Sequence, residues 1–78
     1  MKVIISKVDK ILFEGEAREL QAPGVDGDMT ILSHHSALVT TLRKGKVRVR
    51  TGGNESEQSW DIEKGILEVA ANTATVLL

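Results

Sequence analysis

A chain of 78 residues with 41% apolar side chains fits one small domain, which buries only about 60% of its unfolded surface and would be helped by a stable partner. Its longest apolar runs are three residues, such as Val3-Ile4-Ile5 and Ile11-Leu12-Phe13, against about 20 for a membrane-spanning helix, and the stretch after Met1-Lys2 is shorter than the roughly 7–15 residues of a secretory signal core. Those short runs point to a protein of the cytosolic side; no cysteine is available for a disulfide or thiolate metal site, and ten basic residues against eleven acidic, with one Trp, one Phe and no Tyr, argue against a general nucleic-acid binder.

Apolar residues recur with a period of two, the pattern of strands with one buried face. In chain order the expected strands begin with Lys2–Val8, Ile11–Phe13 and Ala17–Ala22, followed by turn signals at Pro23-Gly24 and Asp26-Gly27 and a strand over Asp28–Leu32. Ser36–Arg43 has Leu38 and Leu42 at helical spacing, but Val39, Thr40 and Thr41 are β-branched and favour a strand. After Lys44-Gly45, valines alternate with cations in Lys46-Val47-Arg48-Val49-Arg50, so Val47 and Val49 should face a core and the three cations water or a partner. A charged stripe of this kind usually blocks edge-to-edge pairing. Gly52–Gln58 reads as a polar hairpin tip, Gln58–Ile62 as a strand, Lys64-Gly65 as a turn, and Ile66–Ala71 and Thr73–Leu78 as strands separated at Asn72. So many short strands between turns imply an all-β fold, a β-sandwich or barrel, in a single domain over residues 1–78.

Candidate chemistry is sparse. His34-His35 are the chain's two histidines; on a strand they would point to opposite faces, and a metal would need Asp26 or Asp28 to complete its shell, so no metal site is expected. The simpler expectation is one histidine packed and hydrogen-bonded and the other exposed. Ser33, Ser36, His35 and Asp28 could be drawn as a hydrolytic triad, but near neighbours on a strand seldom reach that geometry, and a Gly-x-Ser-x-Gly elbow is missing. Gly24 and Gly27 are followed by neither a Lys-Ser/Thr pair nor a helix start, so they do not make a phosphate loop. No catalytic residue and no cofactor are expected. Asp26 and Asp28 flank Gly27 in a turn, where acidic residues either cap their own backbone or, on a rigid scaffold, form a contact surface.

The run Ala22-Pro23-Gly24-Val25-Asp26-Gly27-Asp28-Met29-Thr30-Ile31-Leu32, then His35 and Leu38-Val39-Thr40-Thr41-Leu42 before Gly45, resembles the epsilon subunit of bacterial F-type ATP synthases. A second block, Gly65-Ile66-Leu67-Glu68-Val69 with Asn72 and Thr75-Val76-Leu77, is similar to that family's ending of the sandwich, and Val8 with Phe13-Glu14-Gly15-Glu16 to its opening. The resemblance covers nearly the whole chain. It implies a β-sandwich of about ten short strands in the central stalk: a non-catalytic rotor part that couples the gamma subunit to the c-subunit ring, peripheral at the cytoplasmic face of the inner membrane and not inserted in it. By position, Asp26, Gly27, Asp28 and Met29 match the loop that faces the c ring, and His35 and Thr40 match positions toward gamma. Two departures stand out: Ser33-His34 and Ser36-Ala37 flank His35 where the family has Pro-Gly and Ala-Pro, which makes that turn less rigid, and nothing after Leu78 supplies the family's C-terminal helical hairpin, so inhibition of ATP hydrolysis is not assigned to this chain. The alternative from another class is a generic β-sandwich interaction module, since one fold hosts many functions.

Overall fold

The computed structural model describes residues 1–52 and 57–78. Nine strands are found among them: β1 (Lys2–Lys7), β2 (Lys10–Glu16), β3 (Glu19–Gly24), β4 (Gly27–Leu32), β5 (Leu38–Leu42), β6 (Gly45–Arg50), β7 (Glu57–Ile62), β8 (Gly65–Ala70) and β9 (Thr73–Leu77). The ladder runs β2-β1-β9-β8-β5 in one layer and β4-β3-β6-β7 in the other. The layers join at one corner, where Gly24 of β3 meets Leu42 of β5, held by the Val25 N–H to the Thr41 carbonyl at 3.0 Å and the Arg43 N–H to the Pro23 carbonyl at 2.9 Å.

The period-two pattern fills the space between the layers. Leu20, Ala22, Ile31, Val47, Val49 and Ile62 point inward from one layer, and Val3, Ile5, Leu42, Leu67, Val69 and Val76 from the other, all buried. Phe13 of β2 and Trp60 of β7 lie on the outermost strands of the two layers and meet edge to face with ring centroids 5.8 Å apart, closing the open side of the core. The start of the chain is also tied down. The Met1 α-amino group donates to the Ala17 carbonyl at 3.1 Å and to Ser33 Oγ at 3.3 Å, and β1 lies parallel to β9 from Lys2–Thr73 to Ser6–Leu77.

Several expected boundaries move. Val8 is fully exposed in the β1–β2 turn and is not part of a strand. Ala17 lies outside β3, and Ser36, Ala37 and Arg43 lie outside β5. The turn expected at Pro23-Gly24 sits two residues later and overlaps the one expected at Asp26-Gly27. β3 continues through Gly24, which pairs with Gly27, and the reversal is made by Val25-Asp26. That tight hairpin depends on its glycines, because a Cβ on Gly24 would lie 2.7 Å from the Gly27 carbonyl oxygen, and Gly27 itself has φ of +137°. Of the expected hairpin tip at 52–58, Glu57 and Gln58 are already in β7, and 53–56 lie outside the described residues.

Candidate functional site

The strand directions gather the turns into two sets. Four two-residue connections, Val8-Asp9, Val25-Asp26, Arg43-Lys44 and Glu63-Lys64, lie at the Leu42–Gly65 end of the sandwich. The segments 33–37 and 71–72 lie at the other end, linked by the His34 N–H donating to Asn72 Oδ1 at 2.7 Å. Asp26–Met29 and His35 are therefore at opposite ends.

At the first end Asp26, Gly27 and Asp28 are exposed, whereas Met29 is half-buried against the core. Asp28 is not a simple solvated turn carboxylate. Its Oδ1 accepts from Arg43 Nη2 at 2.7 Å, which ties the β3–β4 hairpin to the β5–β6 turn. Val25 is half exposed beside Asp26, and Val8 projects from the β1–β2 turn at the same end of the sandwich. The sequence pattern placed Val8 in a strand and so missed it as a surface group; the Val8-Asp9 pair between two lysines was the available signal.

The expectation that one histidine is packed is not met: His34 and His35 are both exposed. Segment 33–37 leaves the sheet altogether, His34 adopts a left-handed φ of 65°, and His35 Nδ1 lies 2.8 Å from its neighbour's carbonyl at Ser36. The residues considered for a hydrolytic triad are not assembled into one: Ser33 holds the Met1 amino group, Asp28 holds Arg43, and the His35 ring meets the backbone carbonyl of Ser36. Among the described residues no three His, Asp or Glu side chains gather as a metal site would require. Thr40 is half-buried, on the inward side of β5 with Leu38 and Leu42, and its neighbour Val39 is the outward, 70% exposed residue.

Val39 belongs to a surface that no single sequence window reveals. Across the outer face of the β2-β1-β9-β8-β5 layer, one cross-strand row runs Thr41, Ile66, Leu77, Ser6, Ile11, and the next runs Val39, Glu68, Thr75, Ile4, Glu14. Ile11, Val39, Ile66 and Leu77 are each about half exposed or more. The opposite outer face is charged. Lys46 pairs with Asp61 at 3.0 Å, and Glu57 takes Arg48 at 3.6 Å and Arg50 at 3.3 Å. The cationic stripe was expected to guard an edge; β6 is instead interior, between β3 and β7, so the stripe acts as one half of a cross-strand charge ladder.

The family model for the β-sandwich domain of the ATP synthase delta/epsilon chain matches residues 1–78. This chain belongs to that family. The ATP synthase epsilon chain of Chlorobium limicola is 40% identical over 97% of this chain and 85% of its own length, and that of Caulobacter vibrioides 39% identical over 88% and 78%. Against the longer epsilon chain of a Janthinobacterium species, 35% identical over 99% of this chain, it spans 55% of the relative's length. The resemblance to the epsilon subunit, read from Ala22–Leu42 and Gly65–Leu77, thus holds at the level of family. The fold is shared with a chain of the Euglena gracilis mitochondrial ATP synthase structure containing OSCP, F1 and the c-ring, at a TM-score of 0.88 and 18% identity over 96% of this chain and 48% of that one. A chain of the Tetrahymena thermophila central stalk and c-ring structure gives 0.80 and 20% over 99% and 61%.

Proposed function

We propose that this epsilon-family sandwich is a non-catalytic rotor subunit of the central stalk, seated at the cytoplasmic face of the membrane and coupling the gamma subunit to the c-subunit ring of a proton-translocating ATP synthase. The observation that carries the reading is the presence of two differently finished free surfaces on one rigid body: a turn-lined end and an apolar outer face.

At the turn end, Asp26, Gly27 and Asp28 meet polar loops of the ring, with Met29 holding the hairpin from beneath and Val8 and Val25 adding small apolar contacts. Exposed carboxylates at a rim each contribute about 0.2–1 kcal/mol, so this contact depends on area and shape more than on ion pairs. Toward gamma, His35 in the segment before β5 and Thr40 on the inward side of β5 would be joined by Val39, Ile66 and Leu77 on the outer face, which supply what those two polar residues lack, a surface whose cover releases water. A short rigid body of this kind transmits torque because its core is close-packed and both contacts are set on strands or tight turns.

Retention of the purified chain by immobilised gamma and by a detergent-solubilised c ring tests the reading. Binding to both supports it, and absence of binding to either at micromolar concentration would refute it.

A further inference from the structure

The charged outer face holds a groove that neither proposed contact uses as a whole. It opens beside the Arg43-Lys44 turn, has a volume of about 350 Å3, and is lined by Gln21, Asp28, Thr30, Arg43, Lys46 and Arg48. The register explains why these residues meet. Thr30, Gln21 and Arg48 are direct cross-strand neighbours on β4, β3 and β6, and one pleat nearer the turns Asp28 lies opposite Pro23. Lys46 is two residues from Arg48 and therefore on the same face of β6. The floor is low because Gly45 lies against Pro23, where an added Cβ would sit 2.9 Å from the proline Cβ.

The lining carries three cations and one carboxylate, a local charge of +2 in a chain whose net charge is −1. Each cation has a carboxylate partner, but Asp61 and Glu57, which hold Lys46 and Arg48, stand outside the groove. All three cationic side chains are nearly half exposed, and ion pairs of that kind contribute so little that an incoming anion can take over the cation without a large penalty. Gln21 donates one amide hydrogen to Glu19 and keeps the other, and Thr30 brings a hydroxyl. Two planar guanidinium forks, an ammonium point charge and two neutral donors around one depression match a tetrahedral, multiply charged oxyanion better than a planar carboxylate.

We propose that this groove binds a phosphate group, presented by a soluble phosphate compound or by the headgroup of an anionic phospholipid. The groove stands without the rotor reading; only the lipid source rests on it, because the turn end that would face the ring also brings Arg43 and Lys44 toward the bilayer surface.

The test follows backbone amide signals of the isotope-labelled chain during titration with inorganic phosphate, with chloride at matched ionic strength as the control. Saturable shifts at Gln21, Thr30, Lys46 and Arg48, with Val39 and Ile66 unmoved, are expected. In parallel, the chain is sedimented with vesicles of phosphatidylcholine alone or mixed with phosphatidylglycerol. Phosphate-induced shifts without vesicle preference assign a soluble ligand, preference for the anionic vesicles assigns the headgroup, and no saturable shift with equal sedimentation overturns the proposal. Arg48→Gln should weaken phosphate or vesicle binding about tenfold, the scale of a charge-assisted hydrogen bond. Asp28→Asn, which frees Arg43, should instead strengthen it severalfold. Unchanged binding in the first variant, or weaker binding in the second, with the Trp60 melting curve intact, also overturns the proposal. Phosphate binding that persists while gamma and the ring fail to retain the chain refutes the rotor reading and leaves the groove.

Discussion

On the outer face of β6 and β7, Lys46 meets Asp61 at 3.0 Å, and Glu57 sits between Arg48 and Arg50 at 3.6 and 3.3 Å. On the outer face of β8 and β9 the outward positions are Ile66, Glu68, Ala70, Thr73, Thr75 and Leu77, with Val39 on the neighbouring β5 and Ile11 on β2 beyond β1. Both faces cover the same core and both are strand-regular, yet one is satisfied by its own charges in water and the other leaves aliphatic groups exposed. A protein that covered the charged face would have to desolvate several ions for little return. Covering the aliphatic face returns roughly 25 cal/mol for each Å2 of apolar surface removed from water. The difference separates a face whose charges are paired in water from one whose exposed aliphatic groups would gain from being covered, as the proposed gamma contact would cover them.

The largest effect is expected beneath both faces. Leu67 is fully buried at the centre of β8, between Thr40 and Val76 in the ladder, and Leu67→Ala should cost about 2–5 kcal/mol, a large share of the stability of a domain this small. Thermal or urea unfolding followed by Trp60 emission measures it. A loss well under about 1 kcal/mol would show that the two layers do not share one packed core.

Next comes the aliphatic face itself. Val39→Glu and Ile66→Lys place charges where a partner would bury them, so retention by gamma should fall at least tenfold, which corresponds to about 1.4 kcal/mol. Unfolding free energy should move by only about 0.5 kcal/mol, since the exposed aliphatic groups do little for folding. Equal losses in binding and stability, or unaltered retention, would count against this face as the docking surface. Asp28→Lys is expected to act more weakly and at the other surface: it replaces the Arg43 contact with repulsion and should reduce ring retention severalfold, with the effect shrinking as salt rises because exposed charges are screened over about 8 Å at physiological ionic strength. Retention by gamma should not change, which is what distinguishes the two ends.

Much of this was legible from spacing alone. The alternation in Lys46–Arg50 gave the strand, its buried valines and its outward cations, because burial on one side is a local consequence of the pleat. What alternation could not give was the neighbour. β6 pairs with β3 and β7, so the expected edge guard became a charge ladder whose acidic half, Glu57 and Asp61, lies eleven or more residues away in sequence from Lys46. Long-range register also hid the aliphatic face, since Val39, Ile66, Leu77 and Ile11 come from four strands and each looks like an ordinary isolated exposed residue in its own segment. The histidines failed for a local reason. Ser33–His35 falls between the expected strands Asp28–Leu32 and Ser36–Arg43, and the left-handed turn at His34 keeps the backbone out of the sheet through Ala37, removing any face that could have packed one ring. The hairpin at Val25-Asp26 lies two residues beyond the expected Pro23-Gly24 because Pro23 and Gly24 are turn residues by composition, while the close approach of Gly24 to the Gly27 carbonyl is a pairing requirement.

The smallest expected effect tests the charged face. Glu57→Gln removes the one carboxylate that Arg48 and Arg50 share, at 3.6 and 3.3 Å, while keeping the side chain's shape and its strand position. If that face is balanced only by exposed pairs, stability should drop by no more than about 1 kcal/mol, less at high salt, and binding to gamma should be unaffected. Urea midpoints at low and high salt would measure it. A salt-insensitive loss of several kcal/mol would instead mean that Glu57 helps to fix the β6–β7 pairing, and the contrast between the two outer faces would then be one of structural role as well as of wetting.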